Sequence, residues 1–231
     1  NKDSILQSLE YLDKLGVERT RVICTTESTR WAENAAGQSF TVHEYYEACL
    51  GVAQGYIRGE HKMSVDFWQL LDLDPQRKAY TLTPVRGCLD RYRESRPLCQ
   101  GNRGMIAVAA NGEVYPCMQM SGWMEAHKIS FGNVKKQGLQ SILQSGVYLD
   151  EVCATIGDMI KVNKKCADCS HLTYCRGGCR AIGILTSGGD MRAPDLWKCH
   201  FFEDGYVEKC ERMLAPYINR TAVIERKEIV Q

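Results

Sequence analysis

Cys166-Ala-Asp-Cys169-Ser-His-Leu-Thr-Tyr-Cys175-Arg-Gly-Gly-Cys179 sets four thiols at the spacing C-x2-C-x5-C-x3-C, and Cys199 follows after nineteen intervening residues. Upstream, Cys99, Gly112 and Cys117 extend the series as C-x12-G-x4-C. Seven thiols in one segment exceed what a single tetrahedral metal uses and suit two clusters. An iron–sulfur cluster takes about four cysteine thiolates, and closely spaced cysteines let one loop wrap it.

Two other uses of cysteine compete with this reading. Twelve cysteines in 231 residues also describe a disulfide framework, but that requires an oxidising compartment. Cysteines separated by two or three residues are poorly placed for separate bridges. The opening NKDSILQSLEYLDKLG is an amphipathic helical pattern and lacks the apolar centre of a signal peptide. The expected compartment is a reducing cytoplasm, anaerobic where clusters are exposed. Zinc is the other competitor. Structural zinc sites prefer paired C-x2-C knuckles, and here only Cys166/Cys169 qualifies. His171 and His200 adjoin the cysteines and read either as zinc ligands or as bystanders beside the thiols. Cys24, Cys49, Cys153 and Cys210 are isolated and read as small buried hydrophobes.

Composition narrows the partners. With 44% hydrophobic and 25% charged residues the chain has material for a core. A net charge of +1 gives no footing for nucleic acid, and no run of about eighteen apolar residues offers a membrane span.

Around the cysteines the expected structure is small and mixed. Met105 to Cys117 reads as a hairpin turning at Asn111-Gly112, the pair favoured in type I′ turns, which brings Cys99 and Cys117 together. Lys128–Phe131 reads as a third short strand. Gly138–Gln144 is a short helix, 145–162 is helical, and Trp197 to about Leu214 is one amphipathic helix with Cys199 in its first turn. Arg176-Gly177-Gly178 permits a sharp turn, so that Cys175 and Cys179 face opposite ways.

The first eighty residues alternate helix and strand. Ile5 to Leu15 is a helix stopped by Gly16, and Thr20–Thr25 is a short buried strand. Thr41 and Glu44 form a capping box opening a helix towards Arg58. Met63–Leu71 begins as a second strand. Strand, helix, strand implies parallel pairing through a crossover helix. Two such units cannot close a barrel, so the segment is expected to end a larger α/β domain whose earlier strands are missing.

The full arrangement, with Tyr115-Pro-Cys117 and Cys175-Arg-Gly-Gly-Cys179, resembles the seven-cysteine signature of the SPASM domain found at the C-terminus of radical S-adenosylmethionine (radical SAM) enzymes. The resemblance covers 99–199. It implies an α/β fold in which the last βα units of a partial TIM-like barrel (1–80) lead through a connecting segment (81–98) into a small α+β iron–sulfur SPASM domain with a β-hairpin (99–214), followed by a tail (215–231). It further implies two auxiliary 4Fe–4S clusters, one on Cys166, Cys169, Cys175 and Cys199, the other on Cys99, Cys117 and Cys179. Cys88 is the candidate fourth ligand of the second cluster, the alternatives being a buried hydrophobe or an iron left open to substrate.

The radical-generating motif of this family, C-x3-C-x2-C, does not occur in the sequence. S-adenosylmethionine and a third 4Fe–4S cluster are therefore expected only with a missing N-terminal half, on this or another chain, and the chain alone is expected to be inactive. Glu27 and Arg30, after the first strand, are candidates for touching S-adenosylmethionine or a peptide, or else belong to a solvated loop; Asp66 and Trp68 are similar candidates. The function implied is a cytoplasmic oxidoreductase modifying or crosslinking a ribosomally made peptide (RiPP maturation), its clusters accepting the substrate electron. A peptide or protein substrate and an electron donor such as flavodoxin or ferredoxin are the implied partners. Anaerobic sulfatase maturation is the alternative within the family, but those enzymes carry an aspartate base where this chain has Met118. A non-catalytic two-cluster electron carrier or scaffold is the alternative outside it.

Overall fold

The computed structural model describes residues 4–24, 34–35, 37–38, 40–82, 94–99 and 104–217. In chain order the helices are α1 (Ile5–Lys14), α2 (Val42–Ile57), α3 (Met118–Ala126), α4 (Leu139–Leu143), α5 (Gly146–Glu151), α6 (Ile156–Val162), α7 (Lys164–Ala167), α8 (Leu172–Cys175), α9 (Arg180–Ser187), α10 (Leu196–Glu203) and α11 (Tyr206–Leu214). The strands are β1 (Arg19–Val22), β2 (Ser64–Phe67), β3 (Leu71–Asp74), β4 (Ala79–Leu82), β5 (Ala107–Val108) and β6 (Val114–Tyr115). The chain divides into two compact units, one from parts of 1–24, 40–86 and 200–231, the other from 25–39 and 87–199.

The first unit is a four-stranded sheet in the order β1-β2-β3-β4. β1 and β2 are parallel, joined across α2 as the strand–helix–strand pattern requires. Thr41 caps α2 in a full capping box with Glu44, and Gly16, at φ 80°, follows the end of α1. The Tyr45 hydroxyl donates to the carbonyls of Val22 (3.2 Å) and Trp68 (2.9 Å), tying α2 to the ends of both parallel strands. Tyr56 does the same at the entry to β2, donating to Met63 O at 2.9 Å.

The second strand is shorter than its apolar run suggested. Trp68–Leu70 form a turn with Gln69 left-handed (φ 61°), so Leu71 starts a new, antiparallel strand, and β4 adds to it antiparallel. The sheet is therefore mixed. Period-2 alternation divides its faces. Val65, Phe67, Leu71 and Leu73 are fully buried, whereas Asp66 and Asp72 lie opposite each other on the second face. Arg21 pairs with Asp66 at 2.8 Å and Arg19 with Asp72 at 3.0 Å. β1 itself is only half-buried, unlike the buried strand expected, because it lies at the sheet's edge.

The second unit is a β5–β6 hairpin with short helices packed on Ala107, Tyr115, Met120, Met124, Tyr148, Val152, Ala181, Ile184 and Met191. The hairpin forms, but with a different turn. Only Gly112 of the Asn111-Gly112 pair is left-handed (φ 93°), and its N–H donates to Ala109 O at 2.8 Å. This is the longer loop ending in a left-handed glycine rather than the two-residue type I′ turn. Lys128–Phe131 is no strand: Lys128 is left-handed (φ 56°), and pairing with β6 begins only at Phe131, whose N–H donates to Val114 O at 3.1 Å beside the isolated bridge Glu113–Asn133. The helical stretch 145–162 is two helices, α5 and α6, the second restarted by a Thr155–Asp158 capping box. Trp197–Leu214 is likewise two helices, because Gly205 (φ 74°) breaks the chain between α10 and α11.

Candidate metal centre

Cys117 and Cys179 occupy equivalent local positions. Cys117 is the N-cap of α3 and Cys179 the N-cap of α9. Neither side chain makes a capping hydrogen bond, but the backbone amides of Met120 and Gln119 lower the Cys117 thiol and those of Ile182 and Ala181 lower the Cys179 thiol. Free N–H groups and the positive dipole end of a helix favour a negative sulfur there. The two caps converge, since Cys179 Sγ lies 3.7 Å from Gln119 Oε1. Burial nonetheless dominates, pushing the Cys117 thiol up and the Cys179 thiol up to about 11.

The hairpin glycine has a positional reason. A side chain at Gly112 would meet Asn133 Oδ1 at 2.6 Å, in a backbone conformation that already favours glycine. Asn133 braces the hairpin by donating to Asn111 O (3.2 Å) and Glu113 Oε1 (2.7 Å). This fixes the register of β6, which leads straight into Cys117. Cys99 is brought in separately. Leu98 N–H donates to Ala154 O at 2.9 Å, and Pro97 bridges to Thr155.

Between Cys175 and Cys179 the backbone is left-handed three times in succession, at Arg176 (φ 53°), Gly177 (φ 78°) and Gly178 (φ 73°). A Cβ on Gly177 would press Met159 Sδ at 2.7 Å, and one on Gly178 would overlap Asp195. Two buried charges lock this loop. Arg180, 1% exposed, donates to the carbonyls of Ala193 (2.6 Å), Met191 (3.2 Å) and Gly177. Asp195, 0% exposed, accepts from Cys179 N–H (2.7 Å) and, through its other oxygen, from Trp197 and Lys198 N–H (2.9 and 3.2 Å). Neither residue stood out in the sequence, although Asp195 directly before a helix matches an N-cap signal.

The thiols also act on one another. Cys99 raises both Cys117 and Cys179, while Cys169 raises Cys166, and Cys166 raises Cys175. Burial pushes Cys175 up to about 11, opposed first by the Lys198 ammonium. Arg180 likewise opposes the rise at Cys166. Buried sulfurs that repel one another, each with cations or amides turned towards it, suit a cationic inorganic core that stabilises all of them as thiolates.

Residues 99–170 match the family model of SPASM, an iron–sulfur cluster-binding domain. That stretch of the chain is similar to SPASM domains. The SPASM match takes in Cys99, Gly112, Cys117, Cys166 and Cys169 and stops short of Cys175, Cys179 and Cys199. Among solved structures, native anSMEcpe with bound AdoMet is similar at 13% identity and a TM-score of 0.53, covering 100% of this chain and 55% of that one. A histidine-tagged form of anSMEcpe with bound AdoMet is similar at 13% identity and a TM-score of 0.50, covering 93% and 50%. Native anSMEcpe with bound AdoMet and Cp18Cys peptide gives 11% identity and a TM-score of 0.50, covering 93% and 54%. At such identities the likeness is one of fold, and this chain spans about half the length of the solved chains it matches. No curated protein matches the sequence.

Cys24, Cys49 and Cys210 are buried, and Cys153 packs half-buried on the core of the second unit. His200 faces Asp204, its Nδ1 2.7 Å from the carboxylate. Cys88, Glu27 and Arg30 lie outside the described residues.

Proposed function

We propose that this chain is the auxiliary-cluster-bearing C-terminal portion of a radical SAM/SPASM maturase that oxidatively modifies or crosslinks a ribosomally made peptide, with a partial TIM-like barrel leading into the cluster domain. The observation that carries this reading is the SPASM match over 99–170, with Cys99, Gly112, Cys117, Cys166 and Cys169 inside it and Cys175, Cys179 and Cys199 just beyond. The fold shared with anSMEcpe supports it. In this reading Cys166, Cys169, Cys175 and Cys199 hold one 4Fe–4S cluster, and Cys99, Cys117 and Cys179 hold the other with Cys88 as its fourth ligand. Bound clusters supply one-electron acceptors for the oxidised substrate. The chain's own part is to stabilise the sulfurs. Amides at the starts of α3 and α9 act on Cys117 and Cys179, the Lys198 and Arg180 charges act on Cys175 and Cys166, and Asp195 holds the Cys175–Cys179 loop.

The buried Asp66, with Oδ1 unpaired and Oδ2 held by Arg21, joins Glu27 and Arg30 as a residue for contacts to S-adenosylmethionine or peptide. Sulfatase maturation is the second reading, favoured by the anSMEcpe fold match. Against it stands Met118, 74% exposed at the start of α3, a side chain that accepts no proton where the sulfatase maturases place an aspartate.

The test is iron and sulfide content, with EPR after reduction, on anaerobically purified protein. About eight irons per chain with zinc near background is the expected result. About one or two zinc ions without sulfide would replace this reading with a structural zinc module.

A further inference from the structure

Away from the thiols, three side chains of metal-ligating type meet in the first unit. His43 sits in the opening turn of α2, His200 near the end of α10, and Asp204 in the turn between α10 and α11. We propose that His43, His200 and Asp204 form a divalent-cation site of zinc type, with two imidazole nitrogens and one carboxylate as ligands and water completing the coordination.

The geometry is convergent. Asp204 Oδ2 lies 2.8 Å from His43 Nε2 and 2.7 Å from His200 Nδ1. One ligand atom from each residue lies within 4.8 Å of the others, and the two rings meet edge to face with centroids 4.8 Å apart. The sequence fixes each ligand on a defined backbone. His200 and Asp204 are four residues apart, the spacing that places side chains on one helix face. The left-handed Gly205 (φ 74°) ends that helix directly after Asp204. His43 is held two residues after Thr41, whose capping box sets the start of α2.

Donor chemistry narrows the ion. Imidazole suits zinc and the neighbouring transition metals, and two histidines with one carboxylate and open positions is an arrangement that zinc and iron(II) both use. The side chains are 49% (His43), 40% (His200) and 36% (Asp204) exposed, so an ion reaches them from solvent. The C-terminal end of α10, which carries two of the ligands, attracts a cation, while the N-terminus of α2 opposes one. Glu47, one turn beyond His43, is engaged by Lys209 and is left out of the ligand set. Without an ion, both ring N–H groups donate to a single carboxylate oxygen. An ion takes their place, His43 binding through Nε2 and His200 through Nδ1, each with its proton on the other ring nitrogen.

The site is independent of the cluster assignment, and so is its test. Cluster-loaded protein is titrated anaerobically with zinc sulfate, followed by calorimetry and by zinc K-edge absorption. The expected result is one zinc per chain beyond the iron, in a nitrogen/oxygen shell at about 2.0–2.1 Å with imidazole outer-shell scattering. His43→Gln and Asp204→Asn should each weaken binding by about tenfold or more and leave iron content unchanged. Absence of bound zinc would overturn the proposal. So would a sulfur shell at about 2.3 Å that persists in His43→Gln, which would instead report zinc in the thiol sets. Unchanged affinity in both variants would mean that the three residues are only a hydrogen-bonded surface cluster.

Discussion

The backbone N–H of Cys179 donates to Asp195 Oδ2 at 2.7 Å, and Asp195 is wholly buried. Through Oδ1 the same carboxylate accepts the first amides of α10, the helix that carries Cys199. One side chain thus ties the Cys175–Cys179 loop to the segment bearing the last thiol. In the proposed assignment Cys179 and Cys199 serve different clusters, so both clusters would feel the loss of this carboxylate.

Asp195→Ala leaves three backbone donors without their acceptor and should cost about 2–4 kcal/mol. Both clusters should suffer, in contrast to a single ligand substitution. Thermal unfolding and iron content of the variant check this. Full iron at an unchanged melting temperature would show that Asp195 does not organise the loop.

Two left-handed glycines separate strain from crowding. At Gly188 (φ 75°) a Cβ meets nothing within 4 Å, whereas at Gly178 (φ 73°) it overlaps Asp195. Gly188→Ala should therefore cost about 1 kcal/mol from backbone conformation alone. Gly178→Ala should add about 1–3 kcal/mol of overpacking and lower iron incorporation. Urea unfolding of the pair gives the difference directly, and equal costs would mean that the Gly178 contact relaxes freely.

Cys175 and Cys179, only four residues apart, should behave as ligands of separate clusters. Cys175→Ala and Cys179→Ala are each expected to lower iron from about eight towards four per chain and to leave different residual EPR signals. Identical residual spectra would mean that both thiols serve the same cluster.

What the sequence disclosed and what it withheld follow from how local each signal is. The Thr41–Glu44 box, the Gly16 stop and the Arg176-Gly177-Gly178 turn are encoded within a few residues, and each appears as read. The Asn111-Gly112 hairpin also forms, but neighbouring contacts chose its turn: Gly112 packs under Asn133, 21 positions away in the chain. The β2–β3 reversal was hidden because Trp68-Gln69-Leu70 has no turn-forming residue, and the left-handed Gln69 carries a conformational cost that the surrounding sheet sustains. Likewise, Gly205 within an amphipathic helical pattern reads as a tolerated helix residue until the chain is seen to break there. Arg180 and Asp195 were missed at the site because burial of a charge is a tertiary fact. Neither residue type announces it, and charged residues are buried only where partners wait for them. His43 and Asp204, 161 residues apart, meet only through the fold.

The isolated cysteines yield a prediction about pH and reactivity. Burial pushes Cys24 up to about 11, and Cys49 and Cys210 up to about 12, from an ordinary value of 9.0. A raised thiol pKa means that the folded chain keeps the proton longer than the unfolded chain does. Below about pH 9 both states are protonated and these groups add no pH dependence. Between about pH 9 and 12 the unfolded chain loses its protons first, so stability falls as pH rises. Since the thiolate is the reactive form, iodoacetamide at about pH 8 should leave Cys24, Cys49 and Cys210 unlabelled in the native protein and label all three in urea. Peptide mass spectrometry distinguishes the outcomes. Rapid native labelling of Cys210 would contradict its role as a small buried hydrophobe between α11 and the rest of its unit, and would require that helix to open far more readily than the zero exposure of Cys210 and Leu214 implies.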